Sequence, residues 1–127
     1  MKLDLNCVRD VLIELEEFPI GSYSNISFKK SIAEYGSENV LYTLVKLSEA
    51  KYINAEYFRT MDGRPHIGSI FDLTFAGHEF LNSIRSPSVW EKLKDSTVEG
   101  GTACLKVVGD IAVEILKEIA KQKLHLS

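Results

Sequence analysis

Around residue 50 the hydrophobic period of this chain changes, and that change constrains the fold more than any other feature. Before it, apolar side chains recur every three or four positions, as on one face of a helix. After it, Ile53, Ala55 and Tyr57 alternate with Asn54, Glu56 and Phe58, the period of a strand. Asp62-Gly63 supplies a strong hairpin-turn signal, and Ile67, Ser69, Phe71 and Leu73 mark the returning strand.

The flanking segments read as helices. Asp4 is placed to cap the first, whose stripe is Leu5, Val8, Leu12 and Leu15, widened by Val11 and Phe18. Glu14, Glu16 and Glu17 fall on its wet side, and Pro19 stops it by restricting Phe18. Ser27 is read as the cap of a short helix that turns Phe28, Ile32 and Tyr35 inward, and Gly36 ends it. Ser37 then caps a third helix with Val40, Leu41, Leu44 and Leu47 on its apolar face and Ala50 at its close. Thr74 begins a fourth, carrying Ala76, Phe80, Leu81 and Ile84 inward. Ser86-Pro87 opens a fifth with Trp90 and Leu93. After a break at Gly100-Gly101, Thr102 opens the last, which runs through Val108, Ile111, Ala112, Ile115, Leu116 and Ile119 towards Leu124.

The expected fold class is mainly α with a small β-hairpin. Helix, helix, helix, strand, turn, strand, helix is the order of a winged helix-turn-helix, with the third helix as recognition helix and the hairpin as wing. The expected organisation is such a domain over residues 1–85 and a C-terminal helical extension over residues 86–127. Phe71 and Leu73 are expected in one core with Leu12, Leu44 and Leu47, because the hairpin has to cover the three-helix unit. The stretch from Val40 to Ile53, with Leu44, Leu47, Glu49 and Ala50 in order, resembles the end of recognition helices in winged regulators. Leu73-Thr74-Phe75-Ala76-Gly77 resembles the L-T-x-x-G that follows the wing there. Lys51 stands where those regulators have glycine. A left-handed cap at a lysine is strained by roughly 1 kcal/mol, which predicts that this helix ends differently.

A closer resemblance rests on Met1 to Asp10, on Leu73 to Arg85 with its Ala76-Gly77-His78-Glu79 centre, and on Val89-Trp90. These segments resemble an uncharacterised family found in phages and prophages, classed only as a domain of unknown function. The resemblance covers nearly the whole chain. It implies a cytoplasmic protein of bacterial or phage origin and supplies no activity.

Composition narrows the function classes. The 127 residues suit one ordinary domain, and 45% hydrophobic with 26% charged residues excludes wholesale disorder. No apolar run approaches the ~20 residues of a membrane span, and the acidic start is not that of a signal peptide. Cys7 and Cys104, far apart, fit a reducing compartment. The net charge is -3, and residues 27–73 hold six basic and six acidic side chains. Without a basic surplus, strong nucleic-acid binding is disfavoured, because phosphate contacts supply most of its affinity.

His78-Glu79 begins an H-E-x-x-H zinc motif, but Asn82 replaces the second histidine, so two ligands one turn apart cannot form. A structural role for His78, capping or packing its helix, is the expected one. His66 is expected on the wing. Cys7, near a helix start, is expected to be buried and inert. There is no G-x-x-x-x-G-K-[ST] and no G-x-G-x-x-G. The reading is therefore no enzyme, cofactor, metal or small-molecule ligand.

The candidate partner is double-stranded DNA. Asn39, Tyr42, Thr43 and Lys46 form the outward face expected of the recognition helix, and Asn and Lys can read bases or meet phosphate. Lys29 and Lys30 on the preceding helix, with Arg59 and Arg64 beside the wing tip, would hold the backbone. Glu38 and Glu56 would repel it. The alternative is a protein-interaction adaptor on the same fold, with Tyr42 and Phe58 as first contacts. A positive stripe along the third helix and wing favours DNA, whereas a neutral or acidic face with exposed apolar groups favours a protein. The row Val108, Ile111, Ile115 and Ile119 on the last helix predicts a homodimer interface, or else a cover for Trp90, Leu93 and the first helix.

Overall fold

The computed structural model describes residues 3–19, 27–97 and 105–125. The expected break at Gly100-Gly101, the start at Thr102 and Cys104 lie outside the described residues. The elements run α1 (Leu5–Glu16), α2 (Lys29–Tyr35), α3 (Ser37–Glu49), β1 (Ile53–Arg59), β2 (Pro65–Leu73), α4 (Phe75–Arg85), α5 (Pro87–Thr97) and α6 (Leu105–His125). The fold is mainly helical with one antiparallel two-stranded hairpin. Buried side chains of α1, α3, α4, α5, α6 and the hairpin base join in a single hydrophobic cluster.

Asp4 caps α1, accepting from the backbone N–H of Asn6 at 2.9 Å and of Cys7 at 3.4 Å. Cys7, Val8, Val11, Leu12 and Leu15 are buried along it. Glu14 is buried as well, contrary to its expected place on the wet side. Its carboxylate accepts the N–H groups of Lys30 and Ser31 at 3.2 and 3.3 Å. Those are orphan donors of the first turn of α2, so α1 caps α2 and the expected Ser27 cap is not used. With Phe28 buried at the N-cap, α2 turns Ser31 inward and leaves Ile32 exposed, reversing the expected placement of Ile32. Gly36, at φ 87°, ends α2 and serves as the N-cap of α3 without a side-chain bond, so Ser37 is the first helical residue and not a cap.

Val40, Leu44, Val45 and Leu47 are buried on α3, and Leu41 is half-buried. The end of α3 overturns one expectation. Lys51 does adopt the left-handed conformation, at φ 63°. Its N–H bonds to the Ser48 carbonyl and that of Tyr52 to the Leu47 carbonyl, both at 3.0 Å. This is the Schellman closure that glycine normally makes, here made by a lysine at a conformational cost.

The hairpin pairs Ile53 with Leu73, Asn54 with Asp72, Ala55 with Ile70, and Tyr57 with Ile67. The register shifts twice, on either side of Ala55, with the extra residues on β2. Each extra residue reverses which face the following side chains occupy. Ile70 and Leu73 are therefore the buried members of β2, and Phe71 is exposed, not inward as expected. At the tip, Thr60 N–H donates to the Arg64 carbonyl at 3.0 Å and Gly63 N–H to the Thr60 carbonyl at 2.8 Å.

The two ends of the hairpin are tied together. Thr74 caps α4, accepting from Gly77 N–H at 3.0 Å, while its hydroxyl donates to the Lys51 carbonyl at 2.7 Å and its N–H to the Tyr52 carbonyl at 3.0 Å. Gly77 is buried where Ala76 was expected, and Ala76 is exposed. A β-carbon at Gly77 would lie 1.9 Å from the Tyr52 carbonyl oxygen, so only glycine permits this approach. Phe80 stacks on Tyr52 with centroids 4.8 Å apart and lies against Gly109 of α6. On α6, Leu105, Val108 and Ala112 are buried, and Ile111, Ile115, Leu116 and Ile119 are half-buried against the core.

Candidate interaction face

α3 packs against α2 on one side and against both strands on another. The candidate residues of α2, α3 and the hairpin therefore lie on adjoining elements. Lys29, Lys30, Asn39, Arg59 and Arg64 are exposed, and Tyr42 and Lys46 are half-buried. Thr43 is not part of this face. It is 1% exposed, with its hydroxyl 2.8 Å from the Asn39 carbonyl and 3.2 Å from the Cys7 sulfur. Val40, Thr43, Leu44 and Leu47 keep the i, i+3, i+4, i+7 spacing of a buried row, a signal that the polarity of threonine masks in the sequence. Burial pushes the Cys7 thiol pKa up, more than the Thr43 bond lowers it, which agrees with an inert thiol.

Most of the polar groups on the face are already engaged. The Asn39 amide donates to the Tyr35 carbonyl at 2.7 Å, satisfying an orphan acceptor at the end of α2. Lys46 pairs with Glu49 at 3.1 Å and lies over the Tyr42 ring at 5.4 Å. The Glu49 bond holds the Lys46 pKa above the ordinary lysine value. Lys30 pairs with Glu17 at 3.4 Å. At the hairpin tip, Arg64 pairs with Asp62 at 3.6 Å, and Arg59 donates to the Gly63 carbonyl at 3.0 Å while lying over the Tyr57 ring. Hydrogen bonds from the Thr60 hydroxyl and the Arg64 N–H keep the Asp62 carboxyl below the usual range. Sequence reasoning missed Glu17, Glu49 and Asp62 as partners, although the i, i+3 spacing of Lys46 and Glu49 was there to be read.

The surroundings add acid and apolar surface. A groove of about 340 Å³ between α1 and α2 is lined by Asp10, Glu14, Glu17 and Glu34, with Lys30 and Tyr35. Burial and a hydrogen bond donated to Asp10 push the Tyr35 hydroxyl pKa well up. On the outer side of the hairpin, Phe58 is half exposed and stacks on His66 at 5.6 Å. Met61, Phe71 and Phe75 are exposed too. From residue 37 to residue 73 the chain carries Lys46, Lys51, Arg59 and Arg64 against Glu38, Glu49, Glu56, Asp62 and Asp72. The balance is slightly acidic.

His78 is exposed on α4, so neither capping nor packing describes it. Among the described residues there is no group of three or more His, Cys, Asp or Glu side chains able to hold a metal ion. No described helix is long and apolar enough to cross a membrane.

A family model described as "Hypothetical protein (DUF2513)" matches residues 2–103. An uncharacterised protein of Haemophilus influenzae is 26% identical over 121 residues, covering 95% of this chain and 93% of that protein. No solved structure matches the chain.

Proposed function

We infer that this chain, which belongs to the DUF2513 family of hypothetical proteins, is a non-catalytic module of winged-helix type that binds another protein through α3 and its hairpin. The observation that carries the reading is the state of its cations. Lys30, Lys46 and Arg64 each face a carboxylate, and Arg59 is turned onto its own turn. Exposed pairs of this kind are weak and can be broken, but they leave no net positive field to draw in a polyphosphate. Exposed Phe58 and half-buried Tyr42 offer instead the amphipathic aromatic surface common at protein interfaces. On the family resemblance, the setting is a bacterial or phage cytoplasm.

A DNA-binding version of the reading is favoured by one feature. Asn39, Tyr42 and Lys46 follow each other along the accessible edge of α3 beside a hairpin, the layout with which winged helices enter a major groove. The two versions separate in one experiment. Fluorescence anisotropy with random-sequence and genomic duplexes at two salt concentrations is expected to give no salt-dependent binding. A photo-crosslinker at position 58 or 42 is expected to trap a protein in the native host. Salt-dependent DNA binding overturns the protein reading if Lys46→Ala and Arg64→Ala weaken it, each lowering the salt slope by about 1 through the phosphate it no longer neutralises.

A further inference from the structure

We propose that the groove between α5 and α6 is one half of a two-fold interface, filled by α6 of a second copy running antiparallel to the first. The groove measures about 450 Å³ and is lined by Ile111 and Ile115 with Asp110, Glu114, Glu118 and, from α5, Lys92. Ile111 and Ile115 are only half covered by their own chain, and Val107, one turn before Ile111, is 53% exposed. Apolar side chains between carboxylates call for an occupant with aliphatic side chains flanked by amines.

The later turns of α6 supply that chemistry. Lys117 and Lys121 are exposed, and Leu124, on the same face of the helix, is an exposed aliphatic side chain. An antiparallel arrangement sets the carboxylate-bearing first half of one α6 beside the amine-bearing second half of the other. A parallel arrangement sets like charges together. With Glu114 level with Lys121 of the second copy, Glu118 falls level with Lys117 and Ile111 with Leu124. Two-fold symmetry then repeats each pairing. The pair Glu114–Lys117 within one chain, at 3.6 Å and mostly exposed, is weak enough to exchange for pairs across the interface.

The test measures the mass of the full chain by light scattering and analytical ultracentrifugation. The wild type is expected to be a dimer that loosens with salt. Glu114→Lys with Glu118→Lys in one chain, and Lys117→Glu with Lys121→Glu in another, change only exposed side chains. Each set is expected to weaken self-association by about ten-fold or more, because like charges then face each other. Mixing the two variants is expected to restore a dimer containing one of each. A wild type that stays monomeric, a dimer indifferent to both charge sets, or variants that fail to associate when mixed each overturn the proposal. Thermal melts by circular dichroism on each variant show that the chains compared are folded.

Discussion

The guanidinium of Arg9 lies 5.3 Å from the centre of the Trp90 ring while its nitrogens donate to the carbonyls of Ile84 and Arg85 at 3.2 and 2.9 Å. One side chain of α1 thus closes the end of α4 and covers the aromatic anchor of α5. Arg9→Ala is expected to lower stability by about 1.5–3 kcal/mol, the range for hydrogen bonds to a charged group. Arg9→Lys keeps the charge but not the fork, and is expected to recover only part of the loss. Urea unfolding followed by circular dichroism measures both.

Gly77→Ala is expected to be among the most damaging single changes in this chain. The added methyl would meet backbone, the Tyr52 carbonyl, and not a side chain able to swing away. A loss above about 4 kcal/mol, or no folded protein, is the expected result. A melting temperature within a few degrees of the wild type would show that α4 can slide away from Tyr52.

Lys51→Gly is expected to act in the opposite direction. The left-handed strain at Lys51 disappears while the Schellman bonds of Lys51 and Tyr52 N–H remain. A gain of about 1 kcal/mol is expected, lessened by the extra freedom glycine gives the unfolded chain. An unchanged urea midpoint would mean that the lysine side chain makes up for its backbone.

Glu14→Ala should undo the start of α2. Two N–H groups, one of them buried, lose their acceptor, at a cost of about 1–3 kcal/mol. Faster amide hydrogen exchange at Lys30 and Ser31 than elsewhere in the helical core is the local signature to look for.

Tyr35 makes stability fall at alkaline pH. Its folded pKa is raised, by burial first and then by the bond to Asp10, so above the ordinary value near 10 the unfolded chain releases this proton while the folded chain keeps it. The contribution is fully present below pH 10 and declines as pH climbs past it. Tyr35→Phe is expected to give a shallower loss between about pH 9 and 11.5 in the same unfolding assay.

Much of this fold was legible in the sequence, since it rests on local signals. The Asp4 and Thr74 caps, the α1 stripe and the Asp62-Gly63 turn all depend on residues within a few positions of each other. What escaped reading depends on distant partners or on register. Glu14 looks solvated until α2 brings two N–H donors to it from another helix. Phe71 alternates correctly with Leu73, yet bulges that leave no composition signal turn it outward. Thr43 has the spacing of a core residue, and its polarity argued against its position. For the candidate face, exposure of Lys29, Lys30, Asn39, Arg59 and Arg64 could be read from the pattern. The partners that already hold most of them could not, because those depend on side-chain reach across turns and between helices.

Thr74 fastens to Lys51 and Tyr52, so the chain leaves the core and returns to it at almost the same point. Mechanically, the hairpin is a beam clamped at one end. Ala55 and Ile67 still pack against the core, so the part beyond them is what can flex, and the displacement grows towards Asp62-Gly63 while the clamp stays still. The distal part of the arm is thus uncoupled from where α4 starts. Evolution or an engineer can lengthen, shorten or re-aim its tip without moving α4.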